Sequence, residues 1–167
     1  MEKEITEVYC GNGRGKTTLA IGQALRASSQ GKSVIIIQFL KGNERRELDF
    51  LEELDQLDIK IFRFEKMESC YDQLNEEEQA EEERNILNGL NFARKVIATQ
   101  ECDFLVLDEI LGLLDKHIAT VDMVVGLLKQ KDESMHLILT GNRVDPGILN
   151  YVDSVTTITT LGSEQNS

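Results

Sequence analysis

Cys10-Gly11-Asn12-Gly13-Arg14-Gly15-Lys16-Thr17-Thr18 is the stretch on which the reading of this chain turns. It stands between an apolar run, Ile5–Tyr9, and a helical pattern, Leu19–Arg26. A strand, a glycine turn and a helix start, in that order, build a cradle for phosphate. The glycines let backbone N–H groups turn inward without a Cβ clash, and the helix N-terminus adds partial positive charge. Lys16 adds a full charge, and Thr17 offers a hydroxyl to Mg²⁺. Gly11, Asn12, Gly13, Arg14, Gly15, Lys16, Thr17 and Thr18 are therefore the expected nucleoside-triphosphate-binding loop, the ATP-binding residues if the nucleotide is ATP. The usual phosphate-loop pattern opens on glycine where this chain has Cys10, so the loop is a variant.

Bulk properties bound the rest. A chain of 167 residues fits one domain, expected over 1–161, with a core large enough to need no disulfide. The formal charge of −12 argues against a duplex nucleic-acid binder. Cys10, Cys70 and Cys102 form no CxxC pair, which fits neither a disulfide framework nor a zinc site and points to a reducing cytoplasm. No apolar run reaches the roughly 18 residues of a membrane span, and the expectation is a soluble protein.

The helical stripe after the loop ends near Ser28-Ser29-Gln30-Gly31, and Val34–Leu40 reads as a strand buried on both faces, parallel to the first. Lys41-Gly42-Asn43 is a turn at the carboxyl end of that strand, where ligands sit in open α/β sheets. Arg46–Leu57 reads as a helix and Ile59–Phe64 as a strand. Met67–Leu74 shows no clear period. Glu76-Glu77-Glu78 and Glu81-Glu82-Glu83 read as the solvated start of a helix whose stripe is Ile86, Leu90, Ala93 and Ile97; an acidic recognition surface is the alternative.

Phe104-Leu105-Val106-Leu107-Asp108-Glu109 is an apolar strand that ends in two carboxylates, the form of a Walker B element. Beside a bound triphosphate, Asp108 or Glu109 can hold Mg²⁺ while the other positions a reactant. Ile118–Lys129 reads as a helix, His136–Leu139 as a strand running into Thr140-Gly141-Asn142-Arg143, Pro146–Leu149 as a short helix and Ser154–Leu161 as a last strand, with residues 162–167 a disordered tail. His117 and His136 suggest neither a base nor a metal site. The fold class is α/β, with a mostly parallel central sheet flanked by helices.

The loop Gly11–Thr18, the strand end Gln38-Phe39-Leu40-Lys41-Gly42, the Val106-Leu107-Asp108-Glu109 element and the Leu139-Thr140-Gly141 turn together resemble the P-loop ATP:corrinoid adenosyltransferases. The resemblance runs from about Ile5 to about Leu161. It implies a RecA-like fold and transfer of the 5′-deoxyadenosyl group of ATP to a Co(I) corrinoid, with triphosphate leaving, in cobalamin biosynthesis or salvage. It further implies catalytic roles for Lys16, Thr17 and Glu109, with Mg²⁺ held by Thr17, Asp108 and Glu109. A homodimer and a flavoprotein-type reductant are implied partners. An aromatic pair that shields cobalt in the family is matched to Phe62 and Phe64, with plain core packing as the alternative. The family's threonine at the loop's opening is Cys10 here, the pair's tryptophan is Phe64, and Ile110-Leu111-Gly112 stands where a polar residue is common. The family's basic C-terminal segment is not among these 167 residues. An ATPase or kinase that cleaves the γ-phosphate, and a non-catalytic ATP-binding module, remain open at this point.

Overall fold

The computed structural model describes residues 3–40, 51, 53, 56–64 and 71–162. Among these residues six strands make one sheet: β1 (Thr6–Cys10), β2 (Val34–Gln38), β3 (Ile59–Arg63), β4 (Phe104–Asp108), β5 (His136–Thr140) and β6 (Ser154–Thr157). Their order is β3-β2-β4-β5-β1-β6, and each neighbouring pair is parallel. Helices α1 (Lys16–Ser29), α2 (Glu76–Thr99), α3 (Ile110–Asp115), α4 (Val121–Gln130) and α5 (Pro146–Leu149) connect or flank them.

The apolar runs are continuous because both faces of the sheet are covered. Along each strand, alternate residues go to opposite sides. Val8, Cys10, Ile35, Ile37, Leu105, Leu107, Leu137 and Leu139 pack with α2, α3 and α4. Tyr9, Val34, Ile36, Ile59, Phe104, Val106 and Ile138 pack with Ala20, Ala24 and Ala27 of α1. Small residues on that face of α1 let the helix lie close to the sheet. Each buried Ile or Leu contributes about 1.5–3 kcal/mol, so the two layers together fix the register of the strand ends.

Boundaries differ from the sequence reading for local reasons. α1 begins at Lys16 rather than Leu19, so Lys16, Thr17 and Thr18 form its first turn. β2 stops at Gln38, two residues before Leu40 adopts a left-handed backbone (φ 56°). α4 starts at Val121 because the Thr120 side chain caps it, accepting from the Met123 N–H at 3.2 Å. α3 went unread because six residues carry too little of a 3.6-residue period.

The acidic start of α2 is a capping box: the Asn75 side chain accepts from the Glu78 N–H at 2.9 Å, and Glu78 accepts from the Asn75 N–H at 3.0 Å. The solvated reading holds for Glu76 and Glu77, but Glu82 is buried and Glu83 accepts a hydrogen bond from the Tyr71 hydroxyl. The turn expected at Lys41-Gly42-Asn43, most of the helix expected over Arg46–Leu57, the part of Met67–Leu74 before Tyr71, and the tail from residue 163 onward lie outside the described residues. Among the described residues, no helix is long and apolar enough to cross a membrane.

Candidate functional site

The loop leaves β1 at Cys10 and turns through Gly11 (φ 109°) and Gly15 (φ 100°), backbone conformations that favour glycine. Cys10 tolerates a side chain because it still belongs to the strand, paired with Thr157 of β6, its Sγ 3.6 Å from the Thr157 hydroxyl. The chain that follows β6 braces the loop from outside. Ile158 donates its N–H to the Cys10 carbonyl at 2.8 Å and accepts from the Gly13 N–H at 2.9 Å. The Arg14 N–H is held by the Thr160 hydroxyl at 2.9 Å. A Cβ on Gly11 or Gly13 would come within 2.3 or 2.6 Å of the Ile158 carbonyl oxygen, so both glycines are required by close approach.

Lys16 points back into the loop it follows. Its Nζ donates to the carbonyls of Gly11 at 2.6 Å and Gly13 at 3.3 Å, and to the Asn142 side chain at 3.1 Å. All three acceptors are neutral. The ammonium is thereby oriented by oxygens that do not cancel its charge.

A polar row crosses the carboxyl ends of four strands on the α1 side of the sheet. The pairing sets Arg63 of β3 beside Gln38 of β2, and Gln38 beside Asp108 of β4. Thr140, one residue past the Leu107–Leu139 pair, extends the row into β5. Asp108, Gln38 and Thr140 are 1%, 2% and 0% exposed, which demands internal partners. Asp108 accepts from the Thr17 hydroxyl at 3.0 and 3.2 Å, from the Thr140 hydroxyl at 2.7 Å and from Gln38 Nε2 at 3.1 Å. Thr140 in turn accepts from the Glu109 N–H at 2.8 Å, and Arg63 Nε donates to Gln38 Oε1 at 3.3 Å. Because β5 lies between β1 and β4, α1 crosses the gap and its first turn meets Asp108. The donor set of one hydroxyl and one carboxylate suits a hard cation shared with phosphate oxygens. Tyr9, which pairs with Thr140 on the β1 side, has its hydroxyl pushed up to about 12 by burial, with Glu7 adding to the effect, and stays neutral.

Against this geometry, the family model for ATP:corrinoid adenosyltransferase BtuR/CobO/CobP matches residues 2–164. The chain belongs to this family. Among curated relatives, the corrinoid adenosyltransferase of Escherichia coli K12 is 30% identical over 159 residues, covering 92% of this chain and 76% of that protein. Corrinoid adenosyltransferase CobA of Salmonella typhimurium LT2 is 28% identical over 157 residues, with the same coverage. Among solved structures, a KaiC-like protein of Pyrococcus horikoshii superposes with a TM-score of 0.62 at 19% identity, covering 93% of this chain and 71% of that one, a likeness of fold. The α/β, RecA-type architecture expected from the sequence is the one observed.

Within this adenosyltransferase-family chain, the structure brings Lys16, Thr17, Asp108 and the glycines of the loop together. Glu109 follows Asp108 directly, at the start of α3. Its left-handed backbone (φ 65°) starts α3, and its carboxylate lies over Gly112, where a Cβ would sit 3.2 Å from Oε2. Phe62 and Phe64 face the other way from the polar row. Their rings lie 4.6 and 5.6 Å from Phe92 of α2, and Phe64 covers Gly89 so closely that a Cβ there would meet its ring at 2.6 Å. Both residues are half-buried, and the ring contacts described for them are with α2.

Neither histidine enters the site. His136 stacks on Phe104 and meets Glu4 and Glu7 through its two ring nitrogens. His117 lines a cavity of about 380 Å³ whose walls include Leu111, Val121, Val144 and Pro146, with the Asp115–Arg143 ion pair beside them. Sequence reasoning used Gln38 and Thr140 only as parts of a resemblance and gave no chemical role to them, to Asn142 or to Ile158. For Gln38 and Thr140 the signal was present: each is a polar residue closing an otherwise apolar strand. For Ile158 there was none.

Proposed function

We propose that this chain transfers the 5′-deoxyadenosyl group of ATP to a Co(I) corrinoid and releases triphosphate. The observation that carries the reading is the conjunction of the neutral-partnered Lys16 ammonium with the Thr17–Asp108 contact, in a chain matched by the adenosyltransferase family over residues 2–164. In this reading Gly11–Thr18 hold the triphosphate, with Lys16 facing its charge. The Thr17 hydroxyl and the Asp108 carboxylate are the oxygen donors that would hold Mg²⁺, with Glu109 next in line, and the cation would neutralise charge on the leaving triphosphate.

Cobalt is the nucleophile: the Co–C5′ bond forms as the C5′–O bond breaks, and the electron pair leaves with the triphosphate. The protein therefore needs no nucleophile of its own. Its residues bind, orient and neutralise. Residues 1–161 act as one domain, as a cytoplasmic homodimer supplied with reduced corrinoid by a flavoprotein-type reductant. Phe62 and Phe64 support the site through packing of β3 against α2.

The test is incubation with ATP, Mg²⁺ and chemically reduced corrinoid, followed by ion chromatography. Intact triphosphate appearing in step with a light-sensitive alkylated corrinoid supports the reading. ADP with phosphate, or ATP binding without any product, refutes it.

A further inference from the structure

Gln38 is a buried amide in a row of apolar neighbours: Ile37 and Phe39 are both 0% exposed, and Gln38 itself 2%. The orientation of its amide is settled by its partners. Arg63 Nε can only donate, so the atom it meets at 3.3 Å is Oε1; a carboxylate can only accept, so the atom 3.1 Å from Asp108 Oδ2 is Nε2. The same amide thus takes a hydrogen bond from β3 and gives one to β4. The strand register places the three residues side by side. Asp108 Oδ1 is meanwhile held by Thr140 at 2.7 Å, and Thr17 reaches both oxygens.

We propose that Gln38 is a positioning residue for nucleotide-bound cation: by pinning Asp108 Oδ2, with its own amide set by Arg63, it fixes the rotation of the Asp108 carboxylate relative to the Thr17 hydroxyl. The inference rests on the reading of Thr17 and Asp108 as cation donors given above. It assigns Gln38 no contact with substrate. Glutamine meets the requirement because one flat group must accept on one side and donate on the other. Glutamate keeps the shape and the acceptor for Arg63 but turns an acceptor toward Asp108. Leucine keeps neither.

The experiment is calorimetric titration of ATP with and without Mg²⁺ into wild type, Gln38→Glu and Arg63→Ala, with a thermal melt of each. Residues that orient metal ligands typically change metal affinity by about 10–100-fold. Gln38→Glu is expected to lower the Mg²⁺-dependent gain in ATP affinity by about tenfold, while ATP affinity without Mg²⁺ stays within about twofold. Arg63→Ala, at a half-exposed strand end, is expected to lower the same gain by a smaller factor, and the double variant to lose less than the product of the two.

An unchanged Mg²⁺ gain in Gln38→Glu overturns the proposal. So does a parallel loss of both affinities that tracks the melting temperature, since that is the mark of a structural role alone. If Gln38→Glu does not fold, Arg63→Ala decides by the same criteria. Absence of any Mg²⁺ gain in the wild type overturns the underlying reading of Thr17 and Asp108, a result distinguishable from failure of the Gln38 proposal by itself.

Discussion

Thr140→Val removes one hydroxyl from the buried polar row and leaves shape and volume nearly intact. In the native structure that hydroxyl donates to Asp108 Oδ1 at 2.7 Å and accepts from the Glu109 N–H at 2.8 Å, at a residue 0% exposed. A hydrogen bond to a charged group is worth about 1.5–3 kcal/mol and a neutral one about 1 kcal/mol, so the loss should be about 3 kcal/mol. A protein of this size shifts its melting temperature by about 2–4 °C per kcal/mol, giving a fall of about 6–12 °C. Thr140→Ser is the control: it keeps both hydrogen bonds and removes a methyl group, at a cost of about 1 kcal/mol. Thermal and urea unfolding of the three proteins side by side make the comparison. Equal destabilisation of the valine and serine variants, or a valine variant as stable as wild type, would refute the view that this hydroxyl holds the row together.

Lys16→Ala should reduce ATP affinity by at least about 100-fold, since it removes the charge proposed to face the triphosphate, with little change in melting temperature because the three acceptors it leaves belong to a partly exposed loop; calorimetry and a melt check both parts. Phe62→Ala and Phe64→Ala should each cost about 3–5 kcal/mol, discounted for partial exposure, and lower corrinoid-dependent turnover and ATP affinity in proportion; a selective loss of turnover at full stability would instead show a corrin-facing role. Glu4 is held below its usual 4.5, chiefly by the hydrogen bond from Lys32, against the opposing effect of burial and with help from His136. Its folded value is depressed, so it contributes stability above pH 4.5 that is lost as the pH falls below that. Glu4→Gln should therefore flatten the acid limb of a melting-temperature profile, and identical acid limbs would count against the Lys32–Glu4 pair.

The strands were legible because burial on both faces writes an uninterrupted apolar run, and the loop because its glycines and lysine are a local pattern. Thr17 and Asp108 could be paired in advance only because strand, loop and helix impose a known arrangement. Their partners were harder to see. Gln38, Thr140 and Arg63 lie far apart in sequence and become neighbours through strand order, which a pattern of apolar residues does not encode. Glu109 carries a feature that the motif does not encode, a left-handed backbone with its carboxylate close to Gly112. Phe62 and Phe64 could be either packing or pocket residues from spacing alone. Gly89 and Phe92 of α2, some thirty residues on, are neighbours of the rings that spacing does not reveal.

The brace between Ile158 and the loop has a consequence for how the molecule comes into being. Chains emerge from the ribosome N-terminus first, so residues 10–18 are made early, while both strands that flank β1 are made late: β5 over residues 136–140 and β6 over 154–157. Until β6 has been delivered, the Cys10 carbonyl and the Gly13 N–H lack the backbone partners that shape the turn. A nascent chain therefore carries the loop sequence before it has the two backbone bonds that brace the turn. The shape of the loop near the N-terminus is thus completed by the chain near the other end, at Ile158 and Thr160.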